Sequence, residues 1–567
     1  MRKFLPLGLL LALSAHSQTA APEPPLPQFQ DVAPQVGLTV PHISSPEAQY
    51  ITESMSGGAG LMDCDNDGKL DILTIHGSSV ERFKQQGGDP LVTLYHQEAN
   101  FKFKDITQAA GLTRKGWGMG VAVADYDNDG LPDIYVTGYG GNALYHNLGN
   151  CKFEDVTDKA GVAGGGNSTG AAWGDYDRDG KVDLFVARYV RFDIDHLPVF
   201  GSDEKNCRFK GILVQCGPWG LPGESDFLFH NNGDGTFTEV SKKAGVDDPK
   251  HFYGLGVSWG DYDNDGWPDL YVANDAGPNY LYHNNHDGTF EEVGALSGIA
   301  LSGDGLEQGS MGVAWGDYLH QGLLSMFVTN FTEQSDTLYH NLGKDGFEDV
   351  SVRAKLAQPT YLSVSWGTSF FDMDNDGWLD ILLVNGHVYP QMDAVPGAAR
   401  FKEPALLFRN HRDGTFENMS NVLAGFPLHS QRGAAFGDLN NDGNVDVVIV
   451  NVGEPPTFFL NQGGYKNHRV LLKLIGTKSN RMAIGARVTV TAGKLVQMSE
   501  VRAGGSYLTT NDPRLHFGLG EEAKMNEVRI QWPSGKTDTL HDLAADYIYT
   551  IVEGDGVKDK VALPAPK

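Results

Sequence analysis

From about residue 28 to residue 466, apolar and polar positions alternate with a period of two in short runs bounded by Gly, Asn and Asp. That is the pattern of strands joined by tight hairpin turns. One order of runs recurs. An apolar, Gly-rich run such as Gly120-Val-Ala-Val-Ala124 or Gly312-Val-Ala-Trp-Gly316 leads into an acidic nonapeptide, and an alternating run such as Ile134-Tyr-Val-Thr137 or Leu270-Tyr-Val-Ala273 follows it. L-Y-H-N comes next, starting at Leu144, Leu281 and Leu338. A G-D-G-T-F type turn then opens F-x-D-V, as at Phe153, Phe237, Phe290 and Phe347. The order predicts four strands per unit, the make-up of a propeller blade. There are seven acidic segments and seven L-Y-H-N-like runs, the last being Phe459-Leu-Asn461. No F-x-D-V follows that run, whereas an orphan Phe29-Gln-Asp-Val32 precedes the first acidic segment. The expectation is an all-β, seven-bladed β-propeller over residues 28–466, its last blade completed by the N-terminal strand, since closure removes exposed strand edges. An open solenoid would account for the seven segments but not for the orphan strand.

The acidic nonapeptide is D-x-D-x-D-G-x-x-D. Its acids are Asp63, Asp65, Asp67 and Asp71; Asp125, Asp127, Asp129 and Asp133; Asp175, Asp177, Asp179 and Asp183; Asp261, Asp263, Asp265 and Asp269; and Asp372, Asp374, Asp376 and Asp380. A sixth copy carries Asp438, Asn440, Asp442 and Asp446, and a seventh, from Asp317, has decayed to D-Y-L-H-Q-G-L-L-S. Carboxylates this dense repel one another unless a hard cation sits among them. Oxygen donors at positions 1, 3, 5 and 9, a carbonyl at 7 and a Gly at 6 suit Ca2+. An EF-hand is excluded, because its position-12 Glu would be Thr74, Val136, Val186, Val272, Leu383 or Ile449, and a strand follows each loop. The expectation is about five or six structural Ca2+ sites and none at Asp317, against the alternative of solvated acidic turns without metal.

Strand direction places other residues. The fifth residue past each position 9 lies roughly 17 Å away, at about 3.3 Å per residue. These residues are His76, Gly138, Arg188, Asn274, Asn330, Asn385 and Asn451. Asn serves turns by tolerating left-handed geometry; the functional alternative is a polar binding rim, to which Asp275 and His387 would belong. Close by would lie Asn279, Tyr389 and His251-Phe-Tyr253. One long insert, about Tyr189 to Asp226, leaves from this same strand end and contains Cys207, Cys216 and the run Cys216-Gly-Pro-Trp-Gly-Leu-Pro222. A loop of that kind is either a functional surface or a plug over the channel.

Composition narrows the class. The net charge of −28 sets nucleic acid aside as a partner. Glycine at 71 of 567 residues agrees with many tight turns. Arg2, Lys3 and the apolar stretch Phe4–Ala15, with Ala15-His-Ser17 as cleavage site, predict a signal peptide over 1–17, followed by a Pro-rich linker over 18–27. No later run is long enough to span a membrane. Secretion follows, to the exterior or to the periplasm of a Gram-negative source. Four cysteines in an exported chain suggest two disulfides, with three possible connectivities. Cys207 and Cys216 share the insert and are paired here; Cys64 with Cys151 follows only by elimination.

From Asn467 the acidic loops cease while strand patterns continue, predicting a small separate β domain over 467–554 and a flexible tail over 555–567. The acidic-loop units resemble the FG-GAP (VCBS-type) repeats of integrin α-subunit propellers. Ser479-Asn-Arg-Met-Ala-Ile-Gly-Ala-Arg487, Gly504-Gly-Ser-Tyr507, His516-Phe-Gly-Leu-Gly520 and Trp532-Pro-Ser-Gly535 resemble an ASPIC/UnbV domain. That order is similar to the cartilage acidic protein 1 family. The resemblance implies a secreted calcium-binding protein with adhesion-like associations, partnered by an extracellular protein or glycan, and no established catalytic activity. Neither H-E-x-x-H nor a phosphate-binding glycine loop is present. The alternatives are a lectin or glycan-active enzyme using the Asn-rich face, and a self-associating structural component.

Overall fold

The computed structural model describes residues 27–45, 49–197, 207–463 and 466–565. The expected signal peptide, and the linker up to residue 26, lie outside the described residues.

Seven antiparallel sheets, each with four strands in its core, follow one another along the chain; two add a short fifth strand, Asp89–Pro90 against Lys115–Ala124 and Gln308–Gly309 against Asp269–Gly277. The first is Ala59–Met62, Asp71–Ile75, Val92–Glu98 and Lys102–Asp105; the fourth, typical of the set, is Gly254–Gly260, Asp269–Gly277, Tyr280–Asn284 and Phe290–Glu292. In each, the acidic nonapeptide is the hairpin between the first and second strands. The first strands touch in a closed circuit, Ala59–Met62 against Lys115–Ala124, onward round to Gln431–Gly437, which returns to Ala59–Met62. This is an all-β propeller. In the last sheet Phe29–Asp31 pairs antiparallel with Thr457–Asn461, so the chain's first described strand completes its final sheet.

Side chains between neighbouring sheets explain the W-G sequence before the acidic loops. Trp259 packs on Gly174 of the preceding sheet and Trp315 on Gly260; a Cβ at either glycine would lie 2.8 and 3.0 Å from the indole. After the outer strand, most sheets add one helical turn. In Thr157–Ala160, the Thr157 hydroxyl accepts the Leu144 N–H at 2.9 Å while donating to Asp155, and Gly161 closes the turn in a left-handed conformation. The turn recurs at Thr107–Ala110 and Ser241–Ala244.

The C-terminal region departs from expectation twice. It is a sandwich of two four-stranded sheets around Val470, Leu472, Val488, Phe517, Ile530 and Ile551. The tail expected over 555–567 is instead a strand, Gly556–Ala562, paired with Tyr547–Val552 and followed by the buried Leu563. It is an edge strand, exposed on both faces from Lys558 to Ala562, which accounts for its charged residues. Nor is the domain separate. It sits on the acidic-loop face of the ring, and its segment Ala503–Asp512 enters the axial channel. There Trp173 N–H donates to Ala503 O (2.9 Å), Val313 and Ser506 exchange backbone bonds (2.9 and 2.7 Å), and Thr510 N–H donates to Ala59 O (3.0 Å). Tyr507 is fully buried on the axis, its hydroxyl donating to Met55 O at 2.8 Å and its ring edge-on to Trp366.

Candidate functional site

The hairpin loop at Asp261 shows the repeated geometry. Asp261 accepts the backbone N–H of Asp265 and of Gly266, both at 3.0 Å; Asp263 accepts that of Asp265 at 3.3 Å, and Asp265 that of Trp267 at 2.8 Å. Asp269, on the second strand, accepts from Tyr262 N–H and Asn284 N–H. Asn264 and Gly266 supply left-handed turns (φ 65° and 89°) that bend the carboxylates of positions 1, 3 and 5 toward one centre. The carboxylates of Asp63, Asp65 and Asp67 come within 4.8 Å of one another. Burial pushes the carboxyls of Asp125, Asp175 and Asp261 up to about 7, with neighbouring carboxylates adding to the effect.

The histidine of L-Y-H-N faces the same loops, a placement the sequence pattern did not reveal because the motif reads only as a strand. His146, His230 and His283 hold Nδ1 3.1–3.2 Å from the position-9 carboxylates Asp133, Asp183 and Asp269, and 3.5 Å from the position-3 carboxylates. The following Asn is equally unforeseen. Fully buried Asn284 donates from Nδ2 to Pro268 O (3.1 Å) of its own loop and to Tyr176 O (2.8 Å) of the preceding loop. Asn147, Asn231, Asn341 and Asn410 repeat this staple between blades.

The loops are unequal. At Asp372 the position of the histidine belongs to Arg409, whose guanidinium ion-pairs with Asp374, and Arg412 meets Asp376 at 2.6 Å. Asp372 and Asp374 are buried beneath the C-terminal domain. At Asp438, Asn440 Nδ2 turns to Asp442 at 3.1 Å. The decayed loop keeps the fold without the donors: Asp317 accepts Gln321 and Gly322 N–H at 2.8 Å, and Ser325 Oγ replaces the position-9 carboxylate in accepting Asn341 N–H.

All-oxygen donor sets of this kind fit a hard divalent cation. One buried atom tests the fit: Asp175 Oδ1 has no hydrogen-bond partner, although Asp175 is only 4% exposed. A bound cation would supply positive charge to the position-1, -3 and -5 carboxylates in place of protons.

On the opposite face the polar rim is covered. His76, Asn274, Asn330, Asn385, His387 and Asn451 are all buried. The asparagines cap strand ends: Nδ2 of Asn274, Asn385 and Asn451 donates to the carbonyls of Pro278, Pro404 and Pro455, and that of Asn330 to Ser335 O. Arg188 pairs with Glu224 at 2.8 Å, Asp275 accepts the Tyr189 hydroxyl, and His387 Nδ1 accepts Tyr389 N–H. Beside His387 the cover is the Cys207–Cys216 insert, whose Phe209 packs against Phe331, His387 and Tyr389, whereas His76 is met by the Ile43 N–H. Trp219 of the insert is 52% exposed. The second disulfide, Cys64–Cys151, ties the first acidic loop to the next blade.

Comparison with known proteins agrees with this architecture. A model described as FG-GAP-like repeat matches residues 63–136, 125–186, 219–272 and 261–328, and one described as ASPIC and UnbV matches residues 476–558. The chain is thus a propeller with FG-GAP-like repeats carrying a C-terminal ASPIC and UnbV domain. It is similar to cartilage acidic protein 1: 28% identical over 340 residues to the Homo sapiens protein, covering 58% of this chain and 48% of that one. To the Mus musculus protein it is 27% identical over 324 residues, covering 56% and 47%. The chain therefore spans about half the length of the curated relatives it matches. Among solved structures, YCF48 bound to D1 peptide aligns at a TM-score of 0.39 and 7% identity over 75% of this chain and 98% of that one. An Agrocybe aegerita protein that recognises non-reducing terminal N-acetylglucosamine aligns at 0.37 and 17% identity over 64% and 79%. No helix among the described residues is long and apolar enough to cross a membrane.

Proposed function

We propose that this chain is an exported, calcium-binding propeller acting as an extracellular binding or adhesion module. Its cations hold the acidic-loop face and its ligand meets the opposite face. The observation that carries the metal assignment is the complete oxygen donor set at the loops of Asp63, Asp125, Asp175 and Asp261, one of which leaves the buried Asp175 Oδ1 without a partner. Calcium at extracellular concentration suits such loops. Two disulfides favour an exported protein, and so does the likeness to cartilage acidic protein 1.

Because the rim asparagines are covered, the ligand surface in this reading moves outward onto the insert. There Trp219 follows the disulfide-bonded Cys216 closely in the chain and stands half in solvent. That indole favours the second reading, a lectin, since an exposed aromatic face stacks on a sugar ring. Calorimetric titration of EGTA-stripped mature protein tests the metal assignment: binding at five loops with a rise in melting temperature is expected, and absence of heat with an unchanged melt sinks it. Glycan arrays and extracellular-protein arrays probed with the wild type and Trp219→Ala then separate the ligand classes. Release of reducing ends from a glycan would instead identify an enzyme.

A further inference from the structure

We propose that cation loading of the acidic loops and seating of the C-terminal domain are one linked equilibrium, transmitted by two buried arginine forks. The inference rests on the calcium reading above. Arg514 donates from Nη1 to Asn441 Oδ1 (2.6 Å) and from Nη2 to Asp438 O (2.7 Å). Arg487 makes the same pair on another blade, from Nη1 to Asn264 Oδ1 and from Nη2 to Asp261 O (2.5 Å). In both loops the two acceptors are the carbonyl of position 1 and the side chain of position 4. Each arginine is also held from behind by an acid of its own domain, Asp512 for Arg514 and Glu500 for Arg487. A third loop is read at the same place, where Arg481 N–H donates to Asn128 Oδ1 at 2.7 Å.

The position-4 residue makes this contact a report on loop shape. Asn128, Asn264 and Asn441 are all left-handed (φ 62°, 65° and 54°). Their Nδ2 groups donate to Gly180, Gly322 and Gly68 carbonyls of the next loops at 2.9–3.0 Å. The amide is thereby fixed with Oδ1 toward the C-terminal domain. The turn that aims Oδ1 at the fork is the turn that gathers the carboxylates of positions 1, 3 and 5. Without a cation those carboxylates repel, the turn opens, and the two fork acceptors separate. A planar guanidinium needs both acceptors at once, and a lysine ammonium does not reproduce the fork. Linkage is reciprocal, so the factor by which loading tightens seating is the factor by which seating tightens loading at these two loops. The channel segment Ala503–Asp512 follows the seated domain, and its backbone bonds to Trp173, Val313 and Ala59 provide the readout.

The test uses the full mature chain. Amide hydrogen exchange across residues 501–513 is measured with calcium and with EGTA, and calcium binding is followed by calorimetry for wild type, Arg487→Lys and Arg514→Lys. Exchange of the Ser506 and Thr510 amides is expected to accelerate about tenfold in EGTA, within the usual range of coupling between sites, while Phe290–Glu292 on a blade edge changes less. Each lysine variant is expected to weaken one calcium site by a similar factor and leave the others as they are. If wild type binds calcium but the segment is equally protected in EGTA, the coupling is overturned and the calcium reading stands. Uniform loss of protection across ring and segment also overturns it, since seating then follows global stability. If wild type binds no calcium, both readings fall. Should a lysine variant misfold, the wild-type comparison decides alone.

Discussion

At the scale of single residues, the loops and the blade staples make opposite demands on polar groups. Asn284 is buried and does only structural work, satisfying two carbonyls on neighbouring loops. Asn284→Ala would leave both carbonyls unpaired, at about 1–3 kcal/mol for each buried group. The expected result is a loss of roughly 2–4 kcal/mol in denaturant unfolding, whereas exposed Glu291→Ala stays within about 0.5 kcal/mol; equal effects would refute the staple. The carboxyls of Asp125 and Asp175 are different, being raised to about 7 by burial in the metal-free fold. In the unfolded chain such groups titrate near 4. Their raised folded values stabilise the metal-free fold fully below about pH 4, and that contribution is lost as pH rises through 7. With calcium bound the ionised form is the one required, so protons compete and the sign reverses. Melting temperature should therefore fall from pH 6 to 8 in EGTA and hold or rise in calcium; parallel curves in the two media would contradict the assignment.

At the scale of the element, the acidic hairpin is a self-supporting turn that persists after its ligands are lost, as the loop of Asp317 demonstrates with Ser325 in the position-9 role. The fold of the turn and its full set of carboxylates are thus separable within one repeat. The loop of Asp372 has the full acidic pattern, yet two guanidinium groups already balance two of its carboxylates. Calorimetry should accordingly count five strong sites rather than six, and Arg409→His, which restores the residue found at His146 and His283, should add one. Six sites in wild type would show that the arginines yield to the cation. The strands, the hairpins and the acids of this element were legible in the sequence because each is local and periodic. The roles of Arg409, Asn284 and the helical turn at Thr157–Ala160 were not, because their partners lie on another strand or another blade, and local spacing carries no trace of them. The asparagines at the far strand ends were read two ways from the same spacing; only their pairing with Pro278, Pro404 and Pro455 carbonyls distinguishes a cap from an exposed rim.

At the scale of the whole molecule, the ring and the C-terminal domain are interlocked. The change of pattern at Asn467 marked a domain boundary, but nothing in the local sequence could mark that Gly504-Gly-Ser-Tyr507 runs back into the ring, since Ala59 and Thr509 meet across 450 residues. The positive φ of Gly504 and Gly505 (134° and 119°) lets the chain pass beside Ala172, where a Cβ on Gly504 would lie 2.6 Å from the alanine methyl. Tyr507 and Leu508 then fill the axis among Met55, Trp366 and Met119. A ring ending at residue 463 would expose this apolar lining and leave the inner strand groups that meet Ala503–Asp512 without partners. Such a truncated ring is expected to aggregate or to remain molten, with ANS binding and no cooperative melt, in calcium as well as in EGTA. The full chain, by contrast, should melt in a single transition in calcium, because neither part has its core without the other. A truncated ring that is monomeric and melts cooperatively in calcium would show that the channel segment is dispensable, and the closed circuit of first strands would then suffice to hold the propeller.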